Sequence, residues 1–149
     1  MEFSNAVSTE PIELRPGQYK FSVKFCQIVK DSPAPSKKEN IIENDGKLSK
    51  KFRMLLMNTF DAFDLDDSGV INREKFQLFN MLSGGGEVED SEWNMLMTKF
   101  ETRENGIPLK SFIEMHQAEA DSYTDKTLPD MWVSIQELGY NQQFFFTKV

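Results

Sequence analysis

Residues 63 to 76 read Phe63-Asp64-Leu65-Asp66-Asp67-Ser68-Gly69-Val70-Ile71-Asn72-Arg73-Glu74-Lys75-Phe76. Oxygen-bearing side chains alternate at Asp64, Asp66 and Ser68. Gly69 follows, where a tight loop needs positive φ. Ile71 comes two residues later. So polar a run, broken by a glycine, has to be a loop between apolar elements.

The flanks supply those elements. Ser49 is a plausible N-cap for a helix to about Phe63, with Phe52, Leu56, Phe60 and Phe63 on one face. After the loop, Phe76, Leu78, Phe79 and Leu82 continue a helix from about Asn72. Ser83-Gly84-Gly85-Gly86 ends it and reads as a flexible hinge. Glu87, Glu89, Asp90 and Glu92 then open another helix, where acids suit the positive dipole end. Its stripe is Trp93, Leu96, Met97 and Phe100. The spacing repeats the first unit after about 37 residues, Phe63 to Phe100. The second loop runs Glu101-Thr102-Arg103-Glu104-Asn105-Gly106-Ile107, and a helix from Leu109 to about Ala120 completes the unit.

Helix–loop–helix units with such a loop resemble the EF-hand family, and the resemblance covers roughly half of the chain. Calcium takes six to eight oxygens, drawn in that family from alternate loop positions and a bidentate glutamate at the twelfth. The resemblance implies Asp64, Asp66, Ser68, the Val70 carbonyl and Asn72 as ligands. The twelfth residue is Lys75, which supplies no oxygen. Glu74 is one residue early, about 100° around a helix. It closes the loop only in a register one residue shorter after Gly69. Leu78, Phe79 and Leu82 fit that register; Phe76 fits the unshifted one. Without the shift, the expected affinity is at or weaker than about 10⁻⁴ to 10⁻³ M. The second loop has Glu101 first and Arg103 third, is one residue short and has no closing acid. It is expected to brace its partner rather than hold metal. The resemblance thus implies one calmodulin-like lobe with at most one working Ca2+ site.

Outside residues 49–120, Tyr19, Phe21, Val23 and Phe25 alternate with polar residues after a turn at Arg15-Pro16-Gly17-Gln18. That predicts an N-terminal β-hairpin extension over 1–30. Its aromatic face packs on the helices or on another protein. Residues 31–48 read as a linker. In 121–149, Pro129 suits the first turn of a short helix with Met131, Trp132, Ile135 and Leu138 inward, followed by an aromatic tail at Phe144-Phe145-Phe146. The tail packs on the lobe groove or docks on a partner. The fold class is mainly α: one two-EF-hand lobe, an N-terminal hairpin and a short C-terminal helix.

Charge and composition narrow the function. A net charge of −7 argues against nucleic acid or an anionic membrane. No stretch approaches the length of a spanning helix, and Met1-Glu2-Phe3-Ser4 does not open a signal peptide. Cys26 is the sole cysteine and His116 the sole histidine, so neither a cysteine zinc site nor a histidine-activated nucleophile is expected. An enzyme is not expected either. Met54, Met57, Met81, Met95, Met97 and Met115 lie on the lobe helices. They line a partner groove or fill core gaps. Two functions follow. One is a calcium-binding regulatory or adaptor protein coupling calcium to a protein partner. The other is a calcium-independent structural subunit that clamps a helical or extended segment of a larger assembly. The expected place is the cytoplasm, with cytoskeletal and ciliary assemblies as analogies.

Overall fold

The computed structural model describes residues 13, 15–18 and 37–147. Apart from the turn at 15–18, the expected N-terminal hairpin lies outside the described residues.

Helix α1 spans Lys50–Phe63. Ser49 caps it, accepting the Phe52 N–H at 3.1 Å and donating its own hydroxyl to the Asn40 carbonyl at 2.7 Å. The loop leads to strand β1, Val70–Ile71, and helix α2, Arg73–Leu82. Helix α3 spans Asp90–Lys99, with Asp90 and Glu92 in its first turn. Strand β2, Ile107–Pro108, precedes helix α4, Leu109–Ser122. Helix α5, Pro129–Glu137, starts on its proline.

The strands pair antiparallel, Val70 opposite Pro108 and Ile71 opposite Ile107. Two such short strands do not hold themselves in water. Ile71 and Ile107 are buried, so the core holds them. Aromatic rings carry that core between the two units. Phe112 on α4 meets Phe60 on α1 at 5.6 Å and Phe79 on α2 at 5.2 Å, both edge-on. Helix α5 lays Met131 and Ile135, both buried, into the cleft between α1, α2 and α4. A cavity of about 170 Å³ remains there, bordered by Phe52, Phe79, Met115 and His116.

Two stretches are more fixed than their composition suggests. Within the expected linker, Ile41 and Leu48 are buried. The Ser49 N–H donates to the Ile41 carbonyl at 2.8 Å, and the Leu48 N–H to Gln117 Oε1 at 2.9 Å. Isolated apolar residues in a polar run leave no periodic signal, yet they find the core. In the glycine hinge, Asn80 Nδ2 donates to the Gly86 carbonyl at 2.8 Å and the Val88 N–H to Gln77 Oε1 at 2.7 Å. Amide side chains on α2 thereby tie the connection down. The aromatic tail folds back, with Phe144 stacked on Trp132 at 5.6 Å and tilted against Phe52 at 5.5 Å. Phe145 stays exposed. Among the described residues no helix is long and apolar enough to cross a membrane.

Candidate functional site

The loop after α1 closes on itself through Asp64. Its Oδ1 accepts the Ser68 N–H at 3.1 Å and the Ser68 hydroxyl at 3.0 Å, and its Oδ2 accepts the Gly69 N–H at 2.7 Å. Asp67 and Gly69 take positive φ, 53° and 75°, which curls the chain around the point its oxygens face. A Cβ on Gly69 would lie 2.5 Å from Arg103 Nη2, the end of a flexible side chain that would have to swing aside.

The chain's own ammonium sits at that point. Lys75 Nζ donates to Asp64 Oδ1 at 2.9 Å, to Ser68 Oγ at 2.9 Å and to the Val70 carbonyl at 3.0 Å, and it also pairs with Asp66. The Lys75 side chain is 12% exposed and that of Asp64 9%. Three N–H groups thus serve four oxygens, all charged or dipolar toward the cation. The pKa values follow. Burial raises that of Asp64, but Lys75, the Gly69 N–H and Ser68 together outweigh it and hold the carboxyl below 3.8. Asp66 is lowered chiefly by its hydrogen bond to Lys75, then by Ser68. Burial pulls Lys75 down, and the hydrogen bonds to Asp66 and Asp64 carry it above 10.5.

The remaining candidates lie apart. Asn72 caps α2, its Oδ1 accepting the Lys75 N–H at 2.9 Å. Glu74 is exposed on the first turn of α2, in a surface depression with Arg73, Gln77 and Met81. The loop runs in the unshifted register, with the twelfth side chain inward. Lysine at that place, among aspartates at alternate positions, was the available signal for an internal cation. Met54, Met57, Met81 and Met95 are exposed, while Met97 and Met115 pack against the core. Of these methionines, Met115 borders the cleft that α5 enters.

The second loop differs in shape. Arg103 and Gly106 bridge through both backbone N–H groups, at 3.0 and 2.9 Å, with Glu104 and Asn105 at φ 50° and 57°. Two consecutive positive φ values make a type I′ turn, and that turn shortens the loop. Glu101 pairs with Lys110 at 2.9 Å in solvent. Arg103 reaches across to the first loop, donating to the Gly69 carbonyl at 3.1 Å and to the Ser68 carbonyl at 3.4 Å. Pairing carbonyls in one hand with a cation from the other was not legible in the spacing.

Among the described residues no group of three or more His, Cys, Asp or Glu side chains could hold a metal. The first loop supplies four oxygens, but all face Lys75 Nζ, and the closing position has an ammonium in place of a carboxylate. As they stand, these residues do not fit a bound calcium ion.

No family model matches the sequence. The chain is similar to proteins named EF-hand calcium-binding domain-containing protein 7. That of Mus musculus is 28% identical over 131 residues, covering 85% of this chain and 21% of the relative. That of Xenopus laevis is 27% identical over 127 residues, covering 83% and 20%. That of Homo sapiens is 25% identical over 142 residues, covering 91% and 22%. The chain therefore spans about a fifth of the length of these relatives. The similarity supports an EF-hand family.

Proposed function

We propose that the chain is a calcium-independent EF-hand module that works by binding a protein partner, as a structural or adaptor piece of a larger assembly. One observation carries this reading: Lys75 takes the oxygens of Asp64, Asp66, Ser68 and Val70 that a metal would need. The loop then has a cation at its centre without a metal ion, and partner binding does not wait on calcium. The partner is a protein segment, helical or extended, in a cytoplasmic assembly such as the cytoskeleton or a cilium. The cleft between α1, α2 and α4 holds α5, so the partner face is sought on the outer surface, where Met54, Met57, Leu78 and Met81 are exposed.

A second reading has its own support. The relatives carry calcium binding in their names, which favours a calcium-coupled regulatory role. Copurification separates the two. The first reading expects partners to be retained in EGTA as in calcium. Partners that all dissociate in EGTA would favour the second. Calorimetric titration of wild type with calcium adds an independent arm, with Asp64→Ala as its control. Heat below millimolar calcium, lost in that variant, would also favour the second reading.

A further inference from the structure

We propose that Lys75 is a tethered replacement for calcium, and that the first loop is a latent calcium cradle withheld by this one side chain. The inference rests on the calcium-independent reading above and deepens it by assigning the loop a calcium site that removal of the ammonium would restore.

The geometry gives the reason. Calcium is held by oxygens at about 2.3–2.6 Å, from alternate side chains and one backbone carbonyl. In this loop the same kinds of group, Asp64, Asp66, Ser68 and the Val70 carbonyl, converge on a single nitrogen. Ser68 and Gly69 already draw Asp64 into the loop, and the ammonium is the group that all four oxygens share. Lys75 starts from the first turn of α2 and sends its stem back into the loop. It therefore ties the exiting helix to the loop, as a closing carboxylate would do through a metal. The charges balance differently in the two cases. Two aspartates face one ammonium, and the Arg103 guanidinium lies on the outer carbonyls of Ser68 and Gly69. A free divalent ion would have to displace an ammonium that is covalently held and mostly out of water.

Position and chemistry coincide in a useful way. Replacing Lys75 by glutamate removes the cation and adds two oxygens at the same place. Four oxygens already present and two new ones reach the lower bound of about six that calcium requires. Arg103 offsets part of the added negative charge.

The test uses the full chain and calcium alone. Wild type, Lys75→Gln and Lys75→Glu are melted and titrated in EGTA and in millimolar calcium. Wild type is expected to show one Tm in both media. Lys75→Gln should melt lower than wild type in EGTA and recover part of the loss in calcium. Lys75→Glu should bind calcium at least about tenfold more tightly than wild type, and Asp64→Ala added to it should abolish the binding. Wild type that binds as tightly as Lys75→Glu would overturn the inference, since the lysine would then withhold nothing. So would a Lys75→Gln protein with the wild-type Tm in EGTA. A folded Lys75→Glu that ignores calcium would overturn the cradle, yet the proposed function, judged by partner retention in EGTA, would stand. Should Lys75→Glu not fold, Lys75→Gln decides: a calcium-dependent rise in Tm supports the cradle, and its absence overturns it.

Discussion

The two hands use the same pair of groups and obtain different things from it. In each, a carboxylate at the start of the loop meets a lysine from the start of the exiting helix: Asp64 with Lys75, Glu101 with Lys110, both at 2.9 Å. In the first hand the two side chains are 9% and 12% exposed; in the second, 66% and 68%. Distance is therefore not what separates them. Exposed pairs are screened and contribute little, whereas a cation held out of water among several acceptors cannot be removed without leaving those acceptors unmatched. The first loop is organised around its lysine, and the second around a backbone turn, with its ion pair as trim.

The largest effects should come from what the hands share. Ile71→Ala and Ile107→Ala remove facing, fully buried side chains. Each should cost about 2–5 kcal/mol in denaturant unfolding. Equal losses would show one core serving both hands; a large inequality would mean that one hand folds around the other.

Next come the lysines. Lys75→Ala leaves Asp64 buried without its cation and should cost about 1–3 kcal/mol. Lys110→Ala should leave stability unchanged within error. Equal effects in chemical denaturation would erase the distinction between the loops.

Acid and base extend the contrast. The folded carboxyls of Asp64 and Asp66 sit below the ordinary 3.8, so their contribution is complete above that value and is lost as pH falls through the folded ones. Lys75 sits above 10.5, so its contribution is complete below 10.5 and is lost as pH rises through the folded value. Glu101 and Lys110 shift in the same directions, lowered and raised, but through an exposed pair. Acid melts at low and high salt should separate them. The share of the buried Asp64–Lys75 pair should depend less on salt than that of the exposed Glu101–Lys110 pair. Lys75→Ala should flatten the acid slope, and an unchanged slope would remove Asp64 and Asp66 as its source.

The smallest effect belongs to the link between the hands. Arg103→Ala loses two hydrogen bonds to the Gly69 and Ser68 carbonyls, both exposed, and should cost no more than about 1 kcal/mol. Amide exchange should quicken at Ser68 and Gly69 more than at Ile71. Uniform quickening would mean that Arg103 supports the core rather than the loop.

Much of the fold was legible in the residues. The stripe of Phe52, Leu56 and Phe60 marks the buried face of α1, and Ser49 is a cap by chemistry and by place, whereas Asn72, read as a ligand, caps α2. The 37-residue period from Phe63 to Phe100, less the one residue the second loop lacks, puts Ile71 and Ile107 in matching positions, and they pair across the two strands. Less was legible where a single residue acts against its surroundings. Ile41 is buried from a stretch that composition marks as linker, because burial depends on what faces a residue and not on its neighbours in sequence. Glu74 could close the loop only in a register one residue shorter; the loop keeps the unshifted register, and Glu74 points outward.

The order of donors belongs to the residues alone: aspartate, aspartate, serine, a glycine to bend the chain, and a lysine where a carboxylate would close it. Whether that lysine repels a metal from a distance or replaces it from within was a tertiary matter. A four-carbon stem can hold its ammonium in water or carry it inward, and the sequence is the same in either case. Packing decided it. With β1 pinned to β2 and α2 seated on Phe79, the start of the helix aims Lys75 at the oxygens of its own loop. Lys110, in the other hand, ends in solvent.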